Sequence, residues 1–77
     1  MNTSRSPSDL VGAEVLAELA RQRMKQTELA DAIGMPVANL RRRLAGEIVI
    51  DVNELFAMAR ALDVPVQRLW PDRVPVR

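Results

Sequence analysis

The 77-residue sequence contains no cysteine and no histidine. Without cysteine there are no disulfide bonds, thiol nucleophiles or thiolate metal sites, and without histidine the commonest general base and metal ligand are missing. The sequence also has no glycine-rich loop of the kind that binds phosphates, because its three glycines are widely separated. We therefore expect no enzyme activity, no metal site and no cofactor.

Long apolar runs are absent as well. The apolar share is 48%, but no stretch approaches the roughly 18 consecutive apolar residues that span a membrane. The first ten residues, MNTSRSPSDL, lack the apolar segment of a secretory signal peptide. A chain of this length forms one small domain with a modest core. These features predict a soluble, cytoplasmic domain without a membrane partner.

The spacing of apolar and turn residues predicts an all-α domain of five short helices over residues 9–70. Residues 1–8 are polar and are expected to form a flexible tail, and the proline-containing residues 71–77 a second tail. Ser8 or Asp9 is expected to cap the first helix. The helices are predicted at Leu10–Arg23, Gln26–Ile33, about Pro36–Ala45, Val52–Leu62 and Pro65–Trp70.

Apolar residues at helical spacing define the expected inner faces. In the first helix these residues are Val11, Val15, Leu16 and Leu19. In the fourth helix they are Val52, Leu55, Phe56, Ala59 and Leu62.

The charge of the chain is concentrated in one short segment. The formal net charge is only +1. Residues 34–46 carry +3 and no acidic side chain, whereas residues 1–33 and residues 47–77 each carry −1. Because a local basic surface matters more for binding than the total charge, this segment is the candidate for contact with an anionic partner.

The third helix carries three consecutive arginines, which cannot share one face because successive helical residues turn by about 100°. Leu40 and Leu44 mark the core side of the helix, and Arg42 lies almost opposite them. Arg41 and Arg43 stand on the two flanks. The predicted exposed face consists of Ala38, Asn39, Arg42 and Ala45.

That face matches the chemistry of a DNA major groove. An arginine fork fits the two acceptors of guanine, an asparagine pairs with adenine, and alanine lets the backbone approach closely. The flanking Arg41 and Arg43 would reach phosphates, which set register without reading sequence. A simple solvated face remains the alternative interpretation of these arginines.

The segment QTELADAIGMPVANLRRRLAG, Gln26–Gly46, resembles the helix-turn-helix of the Cro/phage-repressor (XRE-like) family, which has a lambda-repressor-like DNA-binding domain. ELFAMARALDVPVQRLW resembles the fourth and fifth helices of that fold, so the resemblance extends from Val11 to Trp70. It implies a transcriptional regulator, most often a repressor, that binds a double-stranded DNA operator. The LRRRLAG variant is most similar to small regulators of phages and actinobacteria.

The resemblance implies roles for individual residues. The third helix corresponds to the recognition helix of the family. Its base-reading positions fall on Val37, Ala38, Asn39 and Arg42. The positions expected to contact phosphates are Lys25, Gln26, Arg41 and Arg43.

Five positions depart from the family pattern. Lys25 and Pro36 stand where Ser or Thr often caps a helix, and Glu47 lies in a loop that usually faces the DNA backbone. Many members join the first and third helices by a buried Arg–Glu pair, whereas Leu19 and Leu44 occupy those positions here. We expect an apolar contact between these two leucines, since a desolvated ion pair often contributes little net stability.

One helix-turn-helix unit covers only a short half-site, so selective binding normally requires two units. We therefore expect a homodimer, at least on DNA. Apolar residues away from Arg42 are the candidates for the dimer contact: Ile48, Val49, Ile50, Val66 and Trp70.

Two alternatives use the same fold for other purposes. A protein-interaction module would dock through the EIVI loop, residues 47–50, without DNA. An antitoxin would bind both a toxin and its own promoter, although residues 71–77 are short for a toxin-binding segment.

Overall fold

A computed structural model describes residues 6–71, in which five helices are joined by tight turns and no strand occurs. The predicted all-α, five-helix fold is confirmed. No helix in this range is long and apolar enough to cross a bilayer. The expected tails fall largely on residues 1–5 and 72–77, outside the described residues. The helices are α1 (Pro7–Gln22), α2 (Gln26–Ile33), α3 (Val37–Leu44), α4 (Val52–Leu62) and α5 (Val66–Leu69).

Helix α1 begins earlier than predicted, and Ser6 caps it. The Asp9 N–H donates to Ser6 Oγ at 3.1 Å, and the Ser6 N–H donates to Asp9 Oδ2 at 3.3 Å. The prediction that Ser8 or Asp9 is the cap is therefore wrong. Ser6 and Asp9 have the spacing of a reciprocal capping box, and Pro7 is tolerated at the first helical position, where its missing N–H is not needed. The Ser8 hydroxyl instead accepts from the Ile50 N–H at 2.8 Å.

A single apolar core lies between the helices. Helix α1 packs against α3, α4 and α5, while α2 packs against α3 and α4. Leu19 and Leu44 are both buried in this core, as predicted, with 4% and 6% of their surfaces exposed. Their direct contact remains a prediction. The buried apolar residues of the core cluster are Val11, Val15, Leu19, Leu29, Ala30, Leu40, Leu44, Leu55, Met58, Ala59, Leu62 and Leu69.

Three residues that were expected to face inward are exposed instead. Leu16 is 39% exposed, Phe56 51% and Val52 68%. Periodicity places them beside the core residues of their helices, but their apolar stripes are wider than the surface that neighbouring helices cover. Leu10 and Met58 are buried although the expected inner faces did not include them.

Among residues 6–71 one carboxylate is buried, although the sequence analysis did not identify it. Glu18 is buried, with 4% of its surface exposed. Its Oε2 accepts from Gln22 at 2.9 Å and its Oε1 from the Arg21 terminal nitrogen at 2.8 Å. The hydrogen bond from Gln22, followed by that from Arg21, holds the pKa of Glu18 below its usual value. Gln22 also donates to the Leu62 carbonyl at 2.7 Å, so this cluster joins α1 to the end of α4.

Candidate nucleic-acid interface

The turn between α2 and α3 determines how α3 is presented. Gly34 ends α2 in the left-handed region, with φ of 72°, a conformation that glycine adopts without steric cost. The Met35 N–H donates to the Ala30 carbonyl at 2.9 Å and closes the turn. Pro36 is the N-cap of α3, and its carbonyl accepts from the Leu40 N–H at 3.1 Å. Helix α3 therefore starts at Val37 without a side-chain cap.

Helix α3 faces the core as the sequence predicted. Leu40 is fully buried and Leu44 nearly so. Val37 is half-buried and packs against the core, so only part of its side chain is accessible for a base contact. The exposed residues of the helix are Ala38, Asn39, Arg41 and Arg42. The outer surface thus combines two cations, one amide and one methyl group, and it contains no acidic side chain.

Arg41 is held by a residue of the preceding helix. Its Nε donates to Oε1 of Gln26 at 3.3 Å, across 15 positions of sequence. Gln26 is the first residue of α2, so this hydrogen bond connects the start of α2 to the outer surface of α3. Two of the predicted phosphate-binding residues are thereby brought into direct contact.

Arg43 behaves differently from the other two arginines. Its Nε lies 3.1 Å from Oε1 of Glu54, and only 18% of its side chain is exposed. The pair is poorly aligned for a hydrogen bond, and a terminal nitrogen of Arg43 donates to the Asn39 carbonyl at 3.1 Å. This ion pair argues against the predicted phosphate contact. The helical wheel placed Arg43 on a flank, but the first turn of α4 covers that flank and presents a carboxylate.

Lys25, the remaining predicted phosphate contact, is exposed at the N-cap of α2. Its N–H donates to Oε1 of Glu28 at 2.8 Å, but the lysine side chain makes no capping hydrogen bond. The helix loses a cap that typically contributes about 1 kcal/mol. Lys25 lines the same shallow depression as Gln26 and Arg41.

The family model of the helix-turn-helix matches residues 15–69. The chain belongs to the helix-turn-helix family. The XRE-like resemblance inferred from the recognition segment is thereby confirmed. No curated protein matches the sequence.

Solved structures that share the fold of this helix-turn-helix protein include those of two regulatory proteins and one DNA-binding domain. The clp gene regulator ClgR from C. glutamicum is 20% identical, with a TM-score of 0.82 and 86% of each chain covered. The restriction-modification controller protein C.AhdI from Aeromonas hydrophila is 18% identical over 80% of this chain and 94% of that chain, with a TM-score of 0.76. The DNA-binding domain of BldD is 21% identical over 90% of this chain and 100% of that chain, with a TM-score of 0.75.

The helix-turn-helix protein also carries an apolar groove beside the loop that follows α3. In this loop Val49 is 73% exposed, whereas Ile48 and Ile50 are half-buried. Val49 and Ile50 line the groove together with Trp70, which is 50% exposed. The volume of the groove is about 350 Å³. Candidate dimer residues from two distant parts of the sequence therefore meet in one place. Val66 is half-buried against the core instead.

The sequence analysis missed part of this apolar surface. Val52 lines the groove, and Phe56 lies one turn further along α4. Both were assigned to the core because they share the apolar stripe of Leu55. Their β-branched or aromatic side chains do not indicate that they are exposed, because exposure depends on which face of α4 the neighbouring helices cover. We name Val49, Val52, Phe56 and Trp70 the apolar surface.

Proposed function

We propose that this helix-turn-helix protein is a transcriptional regulator that binds double-stranded DNA sequence-specifically, with α3 in the major groove. The observation that carries the proposal is the outer surface of α3. It presents Asn39, Arg41 and Arg42 around the small Ala38, within a segment of net charge +3. An α-helix fits the major groove of B-DNA, and these side chains match the donors and acceptors displayed there.

Each exposed residue of α3 has a distinct proposed role. Arg42, opposite the core, donates its fork to the O6 and N7 acceptors of a guanine, and Asn39 pairs with an adenine. Ala38 lets the helix approach closely and contacts a thymine methyl group. Val37 contributes the accessible part of its side chain at the start of the helix, where recognition helices meet base edges.

Lys25, Gln26 and Arg41 form the proposed phosphate-binding group, in which Lys25 and Arg41 supply the positive charge. They lie together at the start of α2, beside α3. Their contacts with phosphates would set the position of the protein on the duplex. Arg43 is left out of this group. Its ion pair with Glu54 would have to be broken, at an electrostatic cost, before its guanidinium could turn toward a phosphate.

The proteins that share the fold support a regulatory role. Two are named a gene regulator and a controller protein, and the third is a DNA-binding domain. We propose that the present protein acts in the cytoplasm as a repressor, since a protein bound over a promoter blocks transcription by occupying the site. Selection of bound duplexes from a random library tests sequence-specific DNA binding. Enrichment of one sequence supports it, and recovery of only unrelated sequences contradicts it.

Replacing Arg42 by Ala is expected to lose about 1–3 kcal/mol of discrimination at one base pair of the selected site, because one bidentate contact is removed. Affinity for the selected duplex, for each singly substituted duplex and for random DNA would be measured by fluorescence anisotropy at one salt concentration. Arg60→Ala is the matched control, since Arg60 is an exposed arginine on α4. If Arg42→Ala weakens selected and random DNA equally, Arg42 does not read a base.

We further propose that the protein binds an approximately palindromic operator as a homodimer through the apolar surface. Four large apolar residues, at 50–73% exposure, are numerous for the surface of so small a domain. Pairing of two such surfaces buries apolar area on both copies and sets the two α3 helices about 34 Å apart, one DNA turn. A small patch gives weak association, so the protein without DNA is expected to be largely monomeric. On an operator with two half-sites, DNA brings two copies together and they pair.

Replacing Val49 by Asp is expected to abolish two-copy binding, because a carboxylate would be desolvated in the dimer contact. Analytical ultracentrifugation with and without a two-half-site duplex would measure the stoichiometry. Val49→Lys is the matched variant. It disrupts an apolar contact equally, but it attracts DNA phosphates where Asp repels them. Loss of two-copy binding in both variants supports the dimer surface, whereas loss in the Asp variant alone indicates repulsion by DNA.

The apolar surface also favours one alternative, a protein-interaction module that works without DNA. Salt separates the two functions. The logarithm of the DNA association constant falls linearly with the logarithm of salt concentration, with a slope of about −0.9 for each neutralised phosphate, whereas docking of apolar surfaces lacks this dependence.

A further inference from the structure

The hydrogen bond between Gln26 and Arg41 leaves part of the arginine available. Arg41 donates through Nε to the Gln26 amide oxygen at 3.3 Å. A guanidinium has five N–H donors in a rigid planar fork, so the two terminal nitrogens of Arg41 remain in a fixed relation to Gln26. The glutamine uses only its oxygen in this contact, and it belongs to a different helix.

The surroundings of this pair are cationic. Arg41, Lys25 and Gln26 border a shallow depression beside the start of α2, together with Thr27 and an apolar floor that includes Leu16. Within residues 6–71, no acidic side chain lines this depression. Two cations close to one amide are suited to an anion that accepts several hydrogen bonds, and the Glu28 carboxylate, which accepts from the Lys25 N–H at 2.8 Å, is not part of the lining.

We propose that Gln26 is a positioning residue for Arg41, holding its guanidinium so that both terminal nitrogens bind one phosphate of the DNA backbone. The inference rests on the proposed DNA-binding function and specifies how one contact is made. An exposed arginine has many rotamers, and their loss on binding opposes affinity. The contact with Gln26 restricts these rotamers before DNA arrives, so less entropy is lost in the complex.

Lysine is the decisive substitution at this position. It keeps the positive charge of Arg41, but its single ammonium cannot donate to Gln26 through one nitrogen and bind a phosphate with two others. A glutamine that acts through Arg41 should therefore lose its importance when Arg41 is lysine. A glutamine that binds the phosphate directly should matter equally in both proteins.

The test is a double-mutant cycle with Gln26→Met and Arg41→Lys, measured as affinity for the selected operator duplex. In the wild-type background we expect Gln26→Met to weaken binding about five-fold, and in the Arg41→Lys background to leave it nearly unchanged. Equal losses in the two backgrounds overturn the proposal. Gln67→Met, at an exposed glutamine of α5, is the matched control and should bind as wild type. Thermal unfolding of each variant establishes that the folded protein is compared.

A second measurement needs no DNA. The Nε–Hε resonance of Arg41, observed by NMR in the unbound protein, should exchange with water more slowly in the wild type than in Gln26→Met. An unchanged exchange rate overturns the positioning role. A wild type that binds no DNA at all contradicts the proposed function, and the phosphate contact falls with it. If the wild type binds DNA but the two substitutions have additive effects, only the positioning role of Gln26 is contradicted.

Discussion

Replacing Leu44 by Ala is expected to lower the free energy of unfolding by about 2–5 kcal/mol, the range for large-to-small substitutions in packed cores. Leu44 is only 6% exposed and lies on the inner face of α3, within the single core cluster. Its truncation leaves a cavity between α1 and α3, the two helices whose packing supports the outer surface of the recognition helix. Urea unfolding followed by circular dichroism would measure the loss.

Leu16→Ala is the matched control for this prediction. The substitution is chemically identical, but Leu16 is 39% exposed. Less area leaves water at this site on folding, so a cost well below that of Leu44→Ala is expected. Equal costs at the two positions would contradict the assigned inner face of α3. Adding Leu19→Ala completes a cycle, and a coupling energy above about 0.5 kcal/mol would establish the predicted contact between Leu19 and Leu44.

Replacing Gly12 by Ala is expected to destabilise the protein by about 1–3 kcal/mol through overpacking. Gly12 is buried in α1, and a Cβ atom there would lie 2.9 Å from the Leu44 carbonyl oxygen and 3.3 Å from its Cα. These are backbone atoms, which cannot rotate away as a side chain does. Helix α3 would therefore have to move, so we also expect reduced affinity for the selected DNA.

The sign of the effect decides this prediction. Helix propensity alone favours alanine over glycine by about 0.5–1 kcal/mol within a helix. An increase in melting temperature, with DNA affinity unchanged, would show that α1 and α3 are not in close contact at Gly12. A decrease in both melting temperature and DNA affinity supports close packing of α1 against α3, which leaves no room for a side chain at position 12 unless α3 shifts.

Much of the candidate interface was predictable from sequence because it depends on local geometry. Helical rotation alone places Leu40 inward and Arg42 outward, and the fold has both in those positions. The glycine after Ile33 predicts the end of α2, since Gly34 takes a left-handed conformation that glycine adopts without steric cost. Their positions would be similar in any fold that buries the same stripe of α3.

Side-chain partners from other helices could not be predicted in this way. The helical wheel places Arg41 and Arg43 on the two flanks of α3, and both were expected to bind phosphates. Glu54 of α4 pairs with Arg43, whereas Gln26 of α2 accepts a hydrogen bond from Arg41. These partners are 11 and 15 positions distant, and their approach depends on how the helices cross. Glu18 is a similar case, because its burial follows from the packing of α1 against the end of α4.

The amino-acid sequence was sufficient for the helix order, the direction in which α3 faces and the family, because periodicity, turn residues and the recognition segment are properties of the chain itself. Tertiary packing decided which apolar residues remain exposed to solvent and which arginines of α3 form an ion pair with another helix. Val52 and Leu55 lie on one stripe of α4, but only Leu55 is covered by neighbouring helices. Burial of a side chain depends on area supplied by other segments, and that area exists only after the helices have packed together.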